Sequence, residues 1–241
     1  MLTPLLLACA AIIAAVIQRI TGLGFVLVLT APVILLYGAY TGTAMSVFLA
    51  LVASLAALPL VWKQIVWRRV LWLLLPAAII APLATWAVRL LPEPAMLLLI
   101  AALAAFALTA SRIPGLSRLY HGRSGTITAG ASAGALHVAS GMSGPVLGAY
   151  AVATGWEQRS FAASVQAVFV GLSALAVVFR GVPPVPVADL VWGGVATAAG
   201  IAVGSLLVRF VPARIGRQGM LGFAWLGTIV VFVRGIVALV S

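Results

Sequence analysis

The sequence predicts an all-α membrane protein: a polytopic helical bundle of two inverted repeats with short broken or re-entrant helices. Three observations carry that expectation. Of 241 residues 64% are hydrophobic, and 14 Lys+Arg stand against 3 Asp+Glu, far fewer charges than a soluble domain of this size needs on its surface. Apolar stretches recur from end to end, and about 20 such residues at 1.5 Å rise cross a hydrocarbon core of ~30 Å. Related motifs then return in the second half with the basic loops exchanged between the two ends of the helices.

Breaking the chain at Gly, Pro and charge clusters leaves apolar segments at 3–18, 23–37, 43–62, 70–90, 94–110, 125–139, 145–154, 160–179, 187–208 and 219–240. The first is not a cleavable signal, because "MLTPLLLACAA" has no basic start and its apolar run continues well beyond a signal's length. Cys9 is the single cysteine, which rules out an intramolecular disulfide. The polar run "SRIPGLSRLYHGRSG" near the middle divides the chain into a first membrane repeat at 1–111, a linker at 112–124 and a second membrane repeat at 125–241.

Repetition is visible in three places. Trp72 precedes Arg89 as Trp192 precedes Arg209, at an offset of 120 residues; "AMSV" at 44–47 matches "AASV" at 162–165; Thr21-Gly22 matches Ser140-Gly141. Three matches in one order at a nearly constant offset indicate duplication. Charge supplies the orientation. Lys63, Arg68 and Arg69 follow the third segment, whereas Arg180 in the equivalent place is balanced by Asp189. Arg89 after the fourth segment is balanced by Glu93, whereas its equivalent loop holds Arg209, Arg214 and Arg217. Placing all basic loops, with Arg112, Arg118 and Arg123, in the cytoplasm inverts one half relative to the other. The ten-residue run 145–154 spans only about 15 Å as a helix, so either it forms a re-entrant pair with 125–139, the preferred reading, with 3–18 and 23–37 pairing likewise, or it extends through "GWEQRS" to complete a span.

The net charge of +11 does not indicate nucleic acid, since basic residues fall in ones to threes at segment ends as membrane topology requires. Tryptophans such as Trp62, Trp67, Trp72 and Trp86 sit near segment ends, as interfacial anchors do. No Walker motif, metal-ligand cluster, cofactor fingerprint or nucleophile with a base partner is present, which argues against an enzyme.

The candidate chemistry lies at the two breaks. "QRITGLGF" puts Gln18, Arg19, Thr21, Gly22 and Gly24 inside an apolar run, and "LHVASGMSGPV" puts His137, Ser140, Gly141, Ser143 and Gly144 at the equivalent place. Thr21 and Ser143 are expected N-caps, with Pro145 in a first helical turn. Two helix N-termini meeting near the midplane would present free N–H groups and partial positive charge to a small anion. Arg19 within the bilayer carries an insertion cost of about 2.5–3.5 kcal/mol and is either a ligand or a snorkelling helix end. His137, with an unperturbed pKa near 6.5 in general for its type, is the candidate carrier of a coupling proton. The same glycines, and Gly134, serve equally as close helix-packing contacts, and Arg234 is a second cation inside an apolar segment.

At "TGLGFVLVLTAPVILLYG" followed by "TGTAMSVFLALVAS", and again at "GALHVASGMSGPVLGAYAVATG" with "FAASVQAVF", the chain resembles the sulfite exporter TauE/SafE family of bacterial permeases. The resemblance covers most of the chain. It departs from the family's triple-glycine pattern, with Gly22-Leu23-Gly24 in one copy and Gly141-Met142-Ser143-Gly144 in the other. It implies a secondary permease in the bacterial inner membrane moving sulfite, sulfoacetate or another organosulfonate. The residues alone reach a small-anion transporter in a lipid bilayer, with a non-transporting membrane scaffold or assembly subunit as the alternative.

Overall fold

The computed structural model describes residues 2–22, 24–113, 115–211 and 213–240. Leu23, which opens the second apolar segment, lies outside them, as do the side chains of Arg214 and Arg217. The described residues form α-helices and short 3-10 turns, without a strand. In order the helices are α1 (Leu2–Thr21), α2 (Phe25–Tyr37), α3 (Ala39–Val61), α4 (Trp67–Arg89), α5 (Glu93–Thr109), α6 (Gly122–Ser140), α7 (Gly144–Ala153), α8 (Gln158–Arg180), α9 (Val187–Leu207) and α10 (Ala213–Val240). Two 3-10 turns at Ala110–Arg112 and Leu116–Tyr120 make up most of the connection between α5 and α6.

Six helices, α1, α3, α4, α8, α9 and α10, are long and apolar enough to cross a bilayer, whereas α2, α5 and α7 are shorter. The molecule is an all-α, multi-pass membrane protein. Helix α4 shows why composition alone signals this. Val70, Leu73, Ala77 and Ala81 pack inward, while Leu71, Leu75, Ile79 and Leu83 form an exposed stripe at helical spacing. In water such a stripe would aggregate; against lipid tails it is the ordinary outer surface. Pro76 and Pro82 lie within α4 without ending it, as bilayer helices tolerate when neighbours satisfy the freed carbonyls.

Small residues set which helices touch. A Cβ on Gly200 of α9 would lie 2.7 Å from the Ala15 Cβ of α1, and one on Gly204 would lie 2.7 Å from the Arg19 Cβ. On α6, a Cβ on Gly130 would lie 2.4 Å from the Leu73 oxygen and one on Gly134 2.7 Å from the Ala77 Cα of α4. Both pairs therefore run parallel at backbone contact, the small-residue packing that membranes favour in the absence of a hydrophobic drive between helices. Gly134 belongs to this packing and not to the break. Helices α3 and α8 run antiparallel: Ser164, near the start of α8, accepts from the Val66 N–H just beyond α3 (2.9 Å). At the other end, Arg180 reaches the Tyr40 carbonyl at the start of α3 (3.2 Å).

Several charged groups at helix ends have local partners. Glu157 caps α8, its carboxylate accepting from the Ser160 and Arg159 N–H groups at 2.7 and 2.8 Å. Those bonds, that of Ser160 foremost, hold its pKa below the ordinary carboxylate range. Arg180 and Asp189, whose opposite charges offset one another between the eighth and ninth segments, each have other partners. Asp189 is buried in the first turn of α9, where it accepts from the Tyr37 hydroxyl at 2.8 Å. Arg180 is buried at the end of α8. The intervening Pro183 and Pro186 hold the two ends apart as a turn followed by a new helix start. Glu93 likewise faces the Ala39 N–H at the start of α3 (3.4 Å), an acid at a helix N-terminus. Trp156 departs from the interfacial pattern: it is buried, with the Arg69 guanidinium 4.7 Å from its ring centre.

Candidate functional site

Both expected breaks form, and they form alike. The Gly22 N–H donates to the Gln18 carbonyl at 2.7 Å and the Gly141 N–H to the His137 carbonyl at 2.7 Å. Gly22 and Gly141 have φ of 79° and 76°. Each is the left-handed residue that ends a helix while satisfying one of its last carbonyls, a conformation that costs any residue with a Cβ. After each break a short helix starts, α2 behind Gly24 and α7 behind Ser143, with Pro145 in the first turn of α7.

The capping expectation fails at both starts. The residue before α2 is Gly24, and no side chain caps either helix. Thr21 Oγ1 donates back to the Ile17 carbonyl at 2.8 Å, as a hydroxyl near a helix end in an apolar setting does. Ser143 stands at the capping position, but its hydroxyl is engaged by His137 Nδ1 at 2.9 Å. Gly24, Phe25 and Val26 at the start of α2 and Gly144 and Pro145 at the start of α7 border a shared space.

That space is a cavity of about 690 Å³. Gln18, Thr21, Gly24, Phe25 and Val26 line it from the first break, and His137, Gly141, Met142, Gly144 and Pro145 from the second. The breaks touch: a Cβ on Gly141 would stand 2.7 Å from Val26 Cγ1 in the first turn of α2. Further lining comes from the middle of α3 and α8 (Ala50, Ser54, Phe169) and from Met220 and Trp225 of α10. The lining includes the exposed residues Arg112, Val152 and Gln158; along α8 it runs from Gln158 to Phe169 and does not reach Ser173, on which His137 is held.

The polar groups are few and fixed. His137 is fully enclosed, with Nδ1 at Ser143 Oγ and Nε2 at Ser173 Oγ (2.8 Å), and its ring is stacked 6.0 Å from Phe169. Gln18 Nε2 donates to Gln166 Oε1 at 3.3 Å, and Gln166 Nε2 donates to the Gly22 carbonyl at 3.4 Å. Gln18 Oε1 is buried without a partner. Ser140 does not line the cavity; its hydroxyl donates to the Leu136 carbonyl and accepts from the Met142 N–H, bracing the turn from behind.

Arg19 is not part of this lining. Its Nε donates to Ser205 Oγ of α9 at 2.8 Å. It borders, with Gly22, a second cavity of about 140 Å³ that also touches Gln18, Gln64, Arg159 and Gln166. Gln18 thus stands between the two spaces. Arg234 sits elsewhere, donating to the Ile34 carbonyl at the end of α2 (3.0 Å), where a cation complements the helix dipole.

Three side chains of the site are missing from the sequence expectations: Gln166, Ser173 and Ser54. Gln166 carried a signal, being a lone amide within an apolar segment. Ser54 and Ser173 carried another, since they stand 119 residues apart, the same offset that relates Gln18 to His137.

Among the described residues no group of three or more His, Cys, Asp or Glu could hold a metal ion. Neither curated proteins nor solved structures gave a match to the chain. A family model described as Sulfite exporter TauE/SafE matches residues 7–232. That match spans nearly the whole chain, its break motifs and both short helices, and the protein belongs to the sulfite exporter TauE/SafE family of membrane transporters.

Proposed function

We propose that the chain is a secondary permease of the bacterial inner membrane that moves sulfite or a small organosulfonate through the cavity between the two breaks. One observation carries this reading: two helix N-termini, at Gly24 and at Gly144, border a single largely apolar cavity. The N–H groups of a first helical turn have no intrahelical acceptor, and the helix dipole adds about half a positive charge there. An oxyanion offers acceptors to the N–H groups of both ends. Inside a membrane, broken helices are tolerated where they line such a cavity, and they are a recurrent way to hold a substrate.

In this reading Gln18, Thr21, Gly24, His137, Gly141 and Gly144 border the substrate. Ser140 and Ser143 hold the second break in shape. Arg19 and Gly22 border the adjoining smaller space, from which the guanidinium adds a full positive charge. The two halves, 1–111 and 125–241, are inverted copies. The antiparallel run of α3 and α8 supports this, as does the exchange of partners by which α1 pairs with α9 and α6 with α4. A coupling proton, where transport uses one, is carried by His137, each of whose ring nitrogens faces a hydroxyl able to donate or accept.

Reconstitution into liposomes tests the proposal. Uptake of labelled sulfite or sulfoacetate that saturates with concentration is the expected result. Absence of flux for any oxyanion would favour a non-transporting scaffold or assembly subunit instead.

A further inference from the structure

Arg180 is buried to 7% exposure at the end of α8, and its surroundings are unusual for a buried cation. Nη1 donates to the Val138 carbonyl at 2.6 Å and Nη2 to the Tyr40 carbonyl at 3.2 Å. The guanidinium lies 4.6 Å from the centre of the Tyr40 ring, and Nε has no partner. Among the described residues these are neutral partners, not a carboxylate. Buried charges are ordinarily retained with an anion and a complete set of hydrogen bonds, and an intramembrane cation lacking its anion marks a functional position.

Its place in the fold says which function. Ser173, two turns earlier on α8, holds His137 at the cavity wall, and Val138 follows His137 directly. Phe169 lines the cavity three turns before Arg180, about 16 Å away along the helix. Gln158, an exposed residue of the lining, begins the same helix. Outward from Arg180 comes exposed Arg89, whose Nη2 donates to the Phe179 carbonyl at 2.9 Å and whose Nε reaches the Tyr40 hydroxyl at 3.4 Å. The order on the side away from Gln158 is thus cavity, His137, Arg180, Arg89, exterior.

Resting on the permease reading, we propose that Arg180, with Tyr40 and Arg89, is a second station for a small oxyanion, closing the path on the side away from Gln158. The planar fork of a guanidinium matches two oxygens of a sulfite or sulfonate, and such a bidentate ion pair adds a Coulomb attraction that a neutral carbonyl does not offer. An anion passing His137 displaces the Val138 and Tyr40 carbonyls. Loss of the Val138 bond releases the end of α6, and with it the turn at Gly141, so arrival of the anion opens the barrier it must cross. A helix-end clamp accounts for the two carbonyl bonds but not for a buried charge with an idle Nε–H.

Wild type, Arg180→Gln and Arg180→Lys are compared in proteoliposomes for labelled sulfoacetate flux, and in detergent for sulfoacetate affinity by titration calorimetry. Gln still donates to a carbonyl but has no charge; Lys keeps the charge but not the fork. The station predicts that Arg180→Gln loses flux by at least about tenfold while binding in the cavity stays within about threefold of wild type. Wild-type flux in Arg180→Gln, or flux and binding falling together, would overturn it. Should that variant fail to fold, Arg180→Lys carries the test: KM for transport raised about tenfold supports the station, and an unchanged KM refutes it. No flux in the wild type would remove the permease reading and the station with it, whereas wild-type flux with an indifferent Arg180 removes the station alone.

Discussion

Gln18 and His137 occupy equivalent places at the two breaks, yet they are held by different means. Gln18 is joined to Gln166 and keeps an unpartnered carbonyl oxygen, whereas His137 is fixed at both ring nitrogens by serines. Replacing His137 by Gln keeps one donor and one acceptor but removes the titrating ring. If the ring carries the coupling proton, flux in proteoliposomes loses its dependence on pH while binding persists; an unaltered pH profile would take the proton out of the account. Arg19→Gln removes a positive charge beside the cavity and not a contact within it, so it should weaken sulfoacetate binding by less than the about 1.5–3 kcal/mol of a direct charge-assisted contact. Unchanged affinity by calorimetry would leave Arg19 as a helix-end residue on Ser205. Both side chains stood out in the sequence because each interrupts an apolar run. Their partners did not. Gln166 and Ser173 reach the breaks from α8, 148 and 36 residues distant from Gln18 and His137, and only the packed fold brings them there. Arg180 and Asp189 entered the sequence reading only as offsetting charges in one connection, and packing gives each its own partner on a different helix.

Helix ends were the most legible elements and their caps the least. Glycine at 22 and 141 ends α1 and α6 as the residue type demands, and Pro145 opens α7 as expected. The hydroxyl of Ser143 is engaged by His137 and does not cap α7, because in a dry interior a nearby imidazole competes directly with a cap. Prolines were poor punctuation in this chain: Pro32, Pro59, Pro76 and Pro82 all lie inside helices. The two terminating glycines separate conformational from steric demands. Around a Cβ at Gly22 there is nothing within 4 Å, whereas one at Gly141 meets Val26 at 2.7 Å. Gly22→Ala should cost only the left-handed conformation, about 1–2 kcal/mol. Gly141→Ala should cost about 1–3 kcal/mol more, because the two breaks must part. Thermal unfolding in detergent checks the ranking, and equal losses would contradict direct contact between the breaks.

At the level of the whole molecule, composition alone announced a multi-pass helical membrane protein, because 3 acidic residues in 241 leave no other surface. The relation between the halves rests on weaker signals, a near-constant offset and an exchange of basic ends. Inverted halves predict that cysteines placed at Arg68 and Arg214, in a Cys9→Ser background, react with an impermeant thiol reagent from the same, cytoplasmic, face; labelling from opposite faces would contradict inversion. The central claim is that the cavity where the breaks meet holds the anion, and Gly148 gives the most direct access to it. Gly148 lies on α7 at the cavity wall, and a Cβ there has nothing within 4 Å, so a cysteine at that position fits without disturbing either break. Its rate of modification by a thiol reagent is measured with and without excess sulfoacetate, chosen because sulfite itself attacks such reagents. The account predicts that sulfoacetate slows modification of Gly148→Cys several-fold in a saturable way, while a cysteine on the lipid-facing side of α4 at Ile79 is unaffected; equal rates with and without the anion at Gly148→Cys would contradict it.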